Sequence, residues 1–175
     1  VPELSTAENF LRLIRADGKY TKLEAQILDL ALILHAEHGG GNNSSLTVHV
    51  VSSADTDTYS AIAAAVGSLK GRRHGGANIR VIQMMDDIKA HVKDWSNETS
   101  IRNYLKKIAT KKAFDKTGLI YGMGHAIYTI SDPRAILLNE LAEKLAKEKN
   151  ALDEFNLYKR IERIAPEVLY SIHGT

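Results

Sequence analysis

Residues 22–38 read Lys-Leu-Glu-Ala-Gln-Ile-Leu-Asp-Leu-Ala-Leu-Ile-Leu-His-Ala-Glu-His. Leu23, Ile27, Leu30 and Leu34 recur at spacings of four, three and four, which is one face of an α-helix. The helix delivers His35 and His38 to its end, where Gly39-Gly40-Gly41 stops it in a flexible turn. Read outward from this stretch, the chain is helical nearly throughout. A short hydroxyl at Ser5 or Thr6 caps a helix to about Arg15, and Gly18 breaks it. Ser44 or Ser45 caps the next, from about Leu46 to Ser53, and Asp55 or Asp57 starts another, to about Gly67. Further helices are predicted from Gly75 to His91 and from Asn97 to Lys112. Lys116–Ile130 reads as a loop with a short extended piece. Pro133 suits the first turn of a helix to about Lys149. A last pattern runs from Asp153 to Ile172, kinked before Pro166. No strand alternation persists, and the predicted fold class is all-α.

The 175 residues suit one domain or two small ones. A hydrophobic share of 44% is enough for a real core and argues against global disorder. The 23 basic and 21 acidic residues nearly cancel, which argues against a nucleic-acid binder. With no cysteine there is no disulfide and no thiolate metal site. The apolar stretch Ile27–Leu34 contains Asp29 and is far short of the ~20 residues of a membrane span. The start at Val1 and the stop after Gly174-Thr175 read as cuts in a longer protein.

Three segments put a histidine beside glycines. They are His35-Ala36-Glu37-His38-Gly39-Gly40-Gly41-Asn42-Asn43-Ser44-Ser45, then His74-Gly75-Gly76-Ala77-Asn78, then Gly122-Met123-Gly124-His125 with Asp132-Pro133-Arg134 behind it. Glycine lets backbone approach a ligand closely, and histidine exchanges protons near neutral pH. His35 and His38 share a helix face and with Glu37 suggest a metal, but the spacing matches neither HExxH nor HxxEH; a helix-end histidine is the alternative. The triple glycine with Asn42-Asn43-Ser44 resembles an anion cradle, without the Gly-Lys-Ser/Thr ending of a phosphate loop; a plain turn is the alternative. His74 precedes a predicted helix start, where a neutral imidazole can donate to a carbonyl oxygen; a solvated loop histidine is the alternative. Arg134, in a first helical turn, can grip a carboxylate through two parallel hydrogen bonds or pair with a nearby acid. Arg102, Lys106, Lys107, Lys111, Lys112 and Lys116 form a basic stretch that can attract a polyanion or simply face water.

Taken together, in this order and at these separations, the three segments closely resemble the citrate synthase family. That family carries a His-x-x-His segment leading into Gly-Gly-Asn-x-Ser, a His-Gly-Gly/Leu-Ala-Asn segment, and a Gly-x-Gly-His segment leading to Asp-Pro-Arg. The resemblance spans essentially the whole chain, which would be under half of a complete member. It implies a mostly α-helical enzyme of two closing domains. Residues 1–75 would be the C-terminal part of the large domain and 76–175 the small domain, truncated before the catalytic aspartate.

The implied activity is that of an acyltransferase of the citrate (Si)-synthase type, condensing acetyl-CoA with oxaloacetate and water to citrate and CoA. His74 would stabilise the enolate of the thioester, and His125 would be the general acid at the keto carbonyl. His38, Asn42 and Arg134 would bind oxaloacetate. Leu119, Ile120, Gly122, Met123 and Gly124 would wrap the CoA adenine, mainly through backbone groups. Acetyl-CoA is then a co-substrate, with no permanently bound cofactor, no metal, and neither nucleic acid nor membrane as partner. The full protein would be a cytoplasmic homodimer in the tricarboxylic acid cycle.

Three departures from the family pattern stand out. The aspartate base is absent here, so the isolated chain is predicted inactive. Gly39 replaces a common glutamate, and Thr129 replaces a Lys or Arg that often helps hold CoA phosphate. The alternatives are a 2-methylcitrate synthase acting on propionyl-CoA, a non-catalytic helical interaction domain and, third, a metalloprotein.

Overall fold

The computed structural model describes residues 1–36, 41–71, 74–123 and 132–174. Among these the regular elements are all helices: α1 (Thr6–Ile14), α2 (Lys22–Ala36), α3 (Asn43–Ser52), α4 (Thr58–Leu69), α5 (Ala77–His91), α6 (Glu98–Ala109), α7 (Pro133–Glu148) and α8 (Leu152–His173). The all-α expectation holds. The described part of the predicted 116–130 loop, through Met123, contains no strand.

Caps explain most boundaries. Ser5 closes a full capping box with Glu8, Asp57 caps α4 through Ser60, Asn97 caps α6 through Ser100, and Asp132 caps α7 ahead of Pro133. Several boundaries differ from the sequence reading, among them the end of α4 at Leu69 rather than Gly67. α3 is capped by Asn42, not by Ser44 or Ser45, because the Asn42 side chain reaches the Ser45 N–H first. α5 starts at Ala77 rather than Gly75, since the Gly75 and Gly76 N–H groups bond back to Leu69 and Gly71. α6 ends at Ala109, three residues early, because Lys111 turns left-handed at φ +64°. α8 runs unbroken with Pro166 inside it.

The chain packs as two groups. The first holds residues 1–38 and 125–156, in which α2 packs against α1 and α7. The stripe Leu23, Ile27, Leu30 and Leu34 is half-buried, while Glu24 and Ala25 lie deepest in α2. Glu24 is a buried carboxylate held by two cations: Arg15 at 2.8 Å and Lys149 at 2.8 Å, with the Thr21 N–H at 2.7 Å. These contacts, Arg15 foremost, keep its carboxyl far below the usual range against the cost of burial.

The second group holds residues 39–124 and 157–175. Here α3 pairs with α4, and α5 with α6. Its core is Met84 and Ile88 of α5, Ile101, Leu105 and Ile108 of α6, and Leu157, Ile161, Ile164 and Val168 of α8, all under 2% exposed. Ion pairs Arg102–Glu167 and Arg163–Glu98, with Arg160 donating to the Trp95 carbonyl, tie α8 to α6 and to the turn before it.

Candidate active site

The corner before α5 is fixed by backbone. The Gly75 N–H donates to Leu69 O at 2.9 Å and the His74 N–H to Gly71 O at 2.9 Å. A Cβ on Gly75 would sit 2.4 Å from Leu69 O, so only glycine fits there. Gly76 offers α5 no side-chain cap, leaving its first-turn N–H groups pointing back at the corner.

His74 is half-buried, and its Nε2 lies 3.0 Å from the Ser44 hydroxyl, thirty residues back in sequence. Ser44 Oγ is also 2.8 Å from Asn42 Oδ1, which accepts the Ser45 N–H at 2.9 Å. Asn42 therefore does two things: it caps α3 and anchors a side-chain chain Asn42–Ser44–His74. Ser44 has one proton and two neighbours able to take it. Pointed at Asn42, the hydroxyl accepts from a protonated Nε2. Pointed at His74, it leaves the proton of a neutral ring on Nδ1, which is then a donor. Sequence reasoning gave Ser44 a capping role and a place in the Asn42-Asn43-Ser44 anion cradle, but not a bond to His74.

Leu119 to Met123 form a shaped turn. Leu119 is 57% exposed, whereas the Ile120 side chain is 5% exposed and sits in the core, so Ile120 can meet a ligand only through its backbone. Gly122 has φ +83°, and a Cβ there would press on Val81 of α5 at 3.2 Å. Val81 lies about 6 Å along the axis from Ala77, at 1.5 Å per residue. The loop thus docks on the same end of α5 that carries His74. Met123 is half-buried against the core.

Arg134, in the other packing group, meets Asp132 through Nη2–Oδ2 at 2.6 Å and Nε–Oδ1 at 3.0 Å, while its backbone N–H is capped by the same carboxylate. The acid pairing anticipated for a first-turn arginine is present, and it fixes the plane of the guanidinium. His38, Gly124 and His125 lie outside the described residues, as do Glu37 and Thr129. His35, at the end of α2, bonds its own helix at Ala31 O, 2.6 Å. Among the described residues no three His, Asp or Glu side chains are grouped to hold a metal. No described helix is long and apolar enough to cross a membrane.

A family model described as citrate synthase, C-terminal domain, matches residues 1–175. The chain belongs to the citrate synthase family. It is 38% identical over 174 residues to a citrate synthase of Acidithiobacillus ferridurans, covering 96% of this chain and 40% of that protein. It is 33% identical over 165 residues to a citrate synthase of Synechocystis sp., covering 94% and 38%. A 2-methylcitrate synthase of Shewanella oneidensis is 36% identical over 141 residues, covering 80% and 34%. The crystal structure of citrate synthase from Thermotoga maritima MSB8 superposes with a TM-score of 0.57 at 22% identity, covering 99% of this chain and 48% of that one, and shows the shared fold. This chain thus spans about two fifths of the length of the first two relatives.

Proposed function

We propose that the complete protein carrying this chain condenses acetyl-CoA with oxaloacetate and water, giving citrate and CoA. The observation that carries the reading is the Asn42–Ser44–His74 chain at the end of α5 on which loop 119–123 docks. A base removes a methyl proton from acetyl-CoA, and negative charge grows on the thioester oxygen. A neutral His74 with its proton on Nδ1 donates there, which requires the Ser44 hydroxyl to turn its proton from Asn42 Oδ1 to His74 Nε2. One such donor is worth ~10²–10³ in rate. The enolate carbon then bonds to the keto carbon of oxaloacetate, whose oxygen takes a proton from His125. Water cleaves the thioester and releases CoA. In this reading His38, Asn42 and Arg134 bind oxaloacetate. Leu119, Ile120, Gly122, Met123 and Gly124 receive the CoA adenine.

The reading puts the boundary between large and small domains near Gly75. The reading also takes the complete protein as a cytoplasmic homodimer with no resident cofactor or metal. The aspartate base of the family has no counterpart motif in residues 1–175, so the reading assigns turnover to the complete protein and none to this chain alone.

The test is CoA release from acetyl-CoA and oxaloacetate by the complete protein, with His74→Ala and His125→Ala alongside. Loss of roughly 10²-fold or more in kcat in both variants supports the reading. Unchanged activity would favour a non-catalytic helical domain. The similarity to a 2-methylcitrate synthase keeps a second substrate in view. Comparing kcat/KM for acetyl-CoA and propionyl-CoA decides between them, since one methylene is worth only ~1–3 kcal/mol in a pocket.

A further inference from the structure

The turn between α6 and residue 119 is unusually costly. Lys111, Phe114 and Lys116 have φ of +64°, +54° and +59°, and Gly118 and Gly122 follow at +84° and +83°. A left-handed conformation costs a non-glycine residue ~1–2 kcal/mol and is held only where the surroundings over-determine it. What holds it is a cluster that the functional reading leaves unused. The Tyr121 hydroxyl donates to Asp115 Oδ2 at 2.7 Å. Asp115 Oδ1 accepts the Thr117 hydroxyl at 2.7 Å and the Thr117 N–H at 3.1 Å. Thr117 Oγ1 in turn accepts the Leu119 N–H at 3.2 Å. The Tyr121 ring meets Phe114 edge-on, with centroids 6.0 Å apart. Two of these bonds, Tyr121–Asp115 and Leu119–Thr117, join the turn to the first residues of the proposed adenine loop, and the Asp115–Thr117 bonds brace the turn itself.

We propose that Asp115, Thr117 and Tyr121 are positioning residues for CoA: they lock the backbone of residues 119–123 in the shape that receives the cofactor's adenine. Backbone donors and acceptors bind well only if preorganised, because ordering a loop on binding costs affinity. The lock performs that ordering beforehand. It acts through the loop and touches neither reacting centre, so it sets the grip on CoA and leaves the chemistry alone. This inference rests on the citrate synthase reading of the loop.

The test uses the complete protein with Tyr121→Phe, which keeps the ring and removes only the hydroxyl, and Thr117→Val, which removes the acceptor of the Leu119 N–H and one donor to Asp115 but keeps the Tyr121–Asp115 bond. The expected result is a KM for acetyl-CoA and a Kd for CoA raised roughly two- to tenfold, the equivalent of one or two hydrogen bonds. The kcat and the KM for oxaloacetate stay within about twofold of the parent. A merely structural role predicts a lower Tm with both KM values unmoved, and that result overturns the lock. Two variants guard against one failing to fold. If the parent protein itself neither binds CoA nor releases it from acetyl-CoA, the functional reading fails and takes the lock with it. If the parent is active and both variants bind CoA as the parent does, the lock alone fails.

Discussion

Ser44 shows how a single proton can decide a site. Its hydroxyl stands between Asn42 Oδ1 and His74 Nε2 and can donate to only one of them at a time. Ser44→Ala removes the choice and leaves His74 without its tautomer partner. On the proposed function, kcat of the complete protein is expected to fall roughly tenfold, the equivalent of about 1.4 kcal/mol, with a smaller change in the KM for oxaloacetate. Steady-state kinetics with each substrate varied in turn checks this. At the same scale the histidines were legible as chemistry because glycines flanked them, whereas the contact of Ser44 with His74 was not. A serine near a helix start fits capping as well as catalysis, and only the fold brings residue 44 to residue 74. Asp115 and Tyr121 were hidden for a related reason: neither belongs to a motif, and their pairing depends on three left-handed turn residues that periodicity does not reveal.

Helices were legible where a polar cap precedes an apolar period, as at Ser5, Asp57, Asn97 and Asp132. They were misjudged where local turn and capping bonds competed. Gly75 and Gly76 were absorbed into a backbone turn, and Asn42 took the cap from the serines. The leucine stripe of α2 located the helix but not its deepest contact, because Glu24 is buried by partners, Arg15 and Lys149, that lie outside the helix itself. The packing of α5, α6 and α8 supports a prediction at this scale. Leu105 and Ile161 are completely buried in their shared core. Leu105→Ala and Ile161→Ala are each expected to cost ~2–5 kcal/mol. Chemical denaturation of the complete protein measures both.

The stability of the protein as a whole should carry the signature of Glu24. Its carboxyl is depressed in the folded state, so its contribution is fully present above the unfolded carboxylate value of ~4.3. The contribution is lost progressively as the pH falls through that value towards the folded one. Glu24→Gln should therefore lower the denaturation midpoint at neutral pH and flatten the acid arm of the stability curve. The variant and the parent should converge in strong acid, and a constant gap between them at every pH would contradict this origin of the stability.

The fit of Gly75 against the Leu69 carbonyl bears on how selection would act on this corner. A saturation library over residues 74–76, sorted only for soluble expression of the complete protein, should retain glycine at 75 and let position 74 drift. The same library sorted for growth on the proposed citrate-forming activity should recover histidine at 74 as well if the proposed role holds. Retention of Gly75 therefore reports on fit, and retention of His74 reports on chemistry.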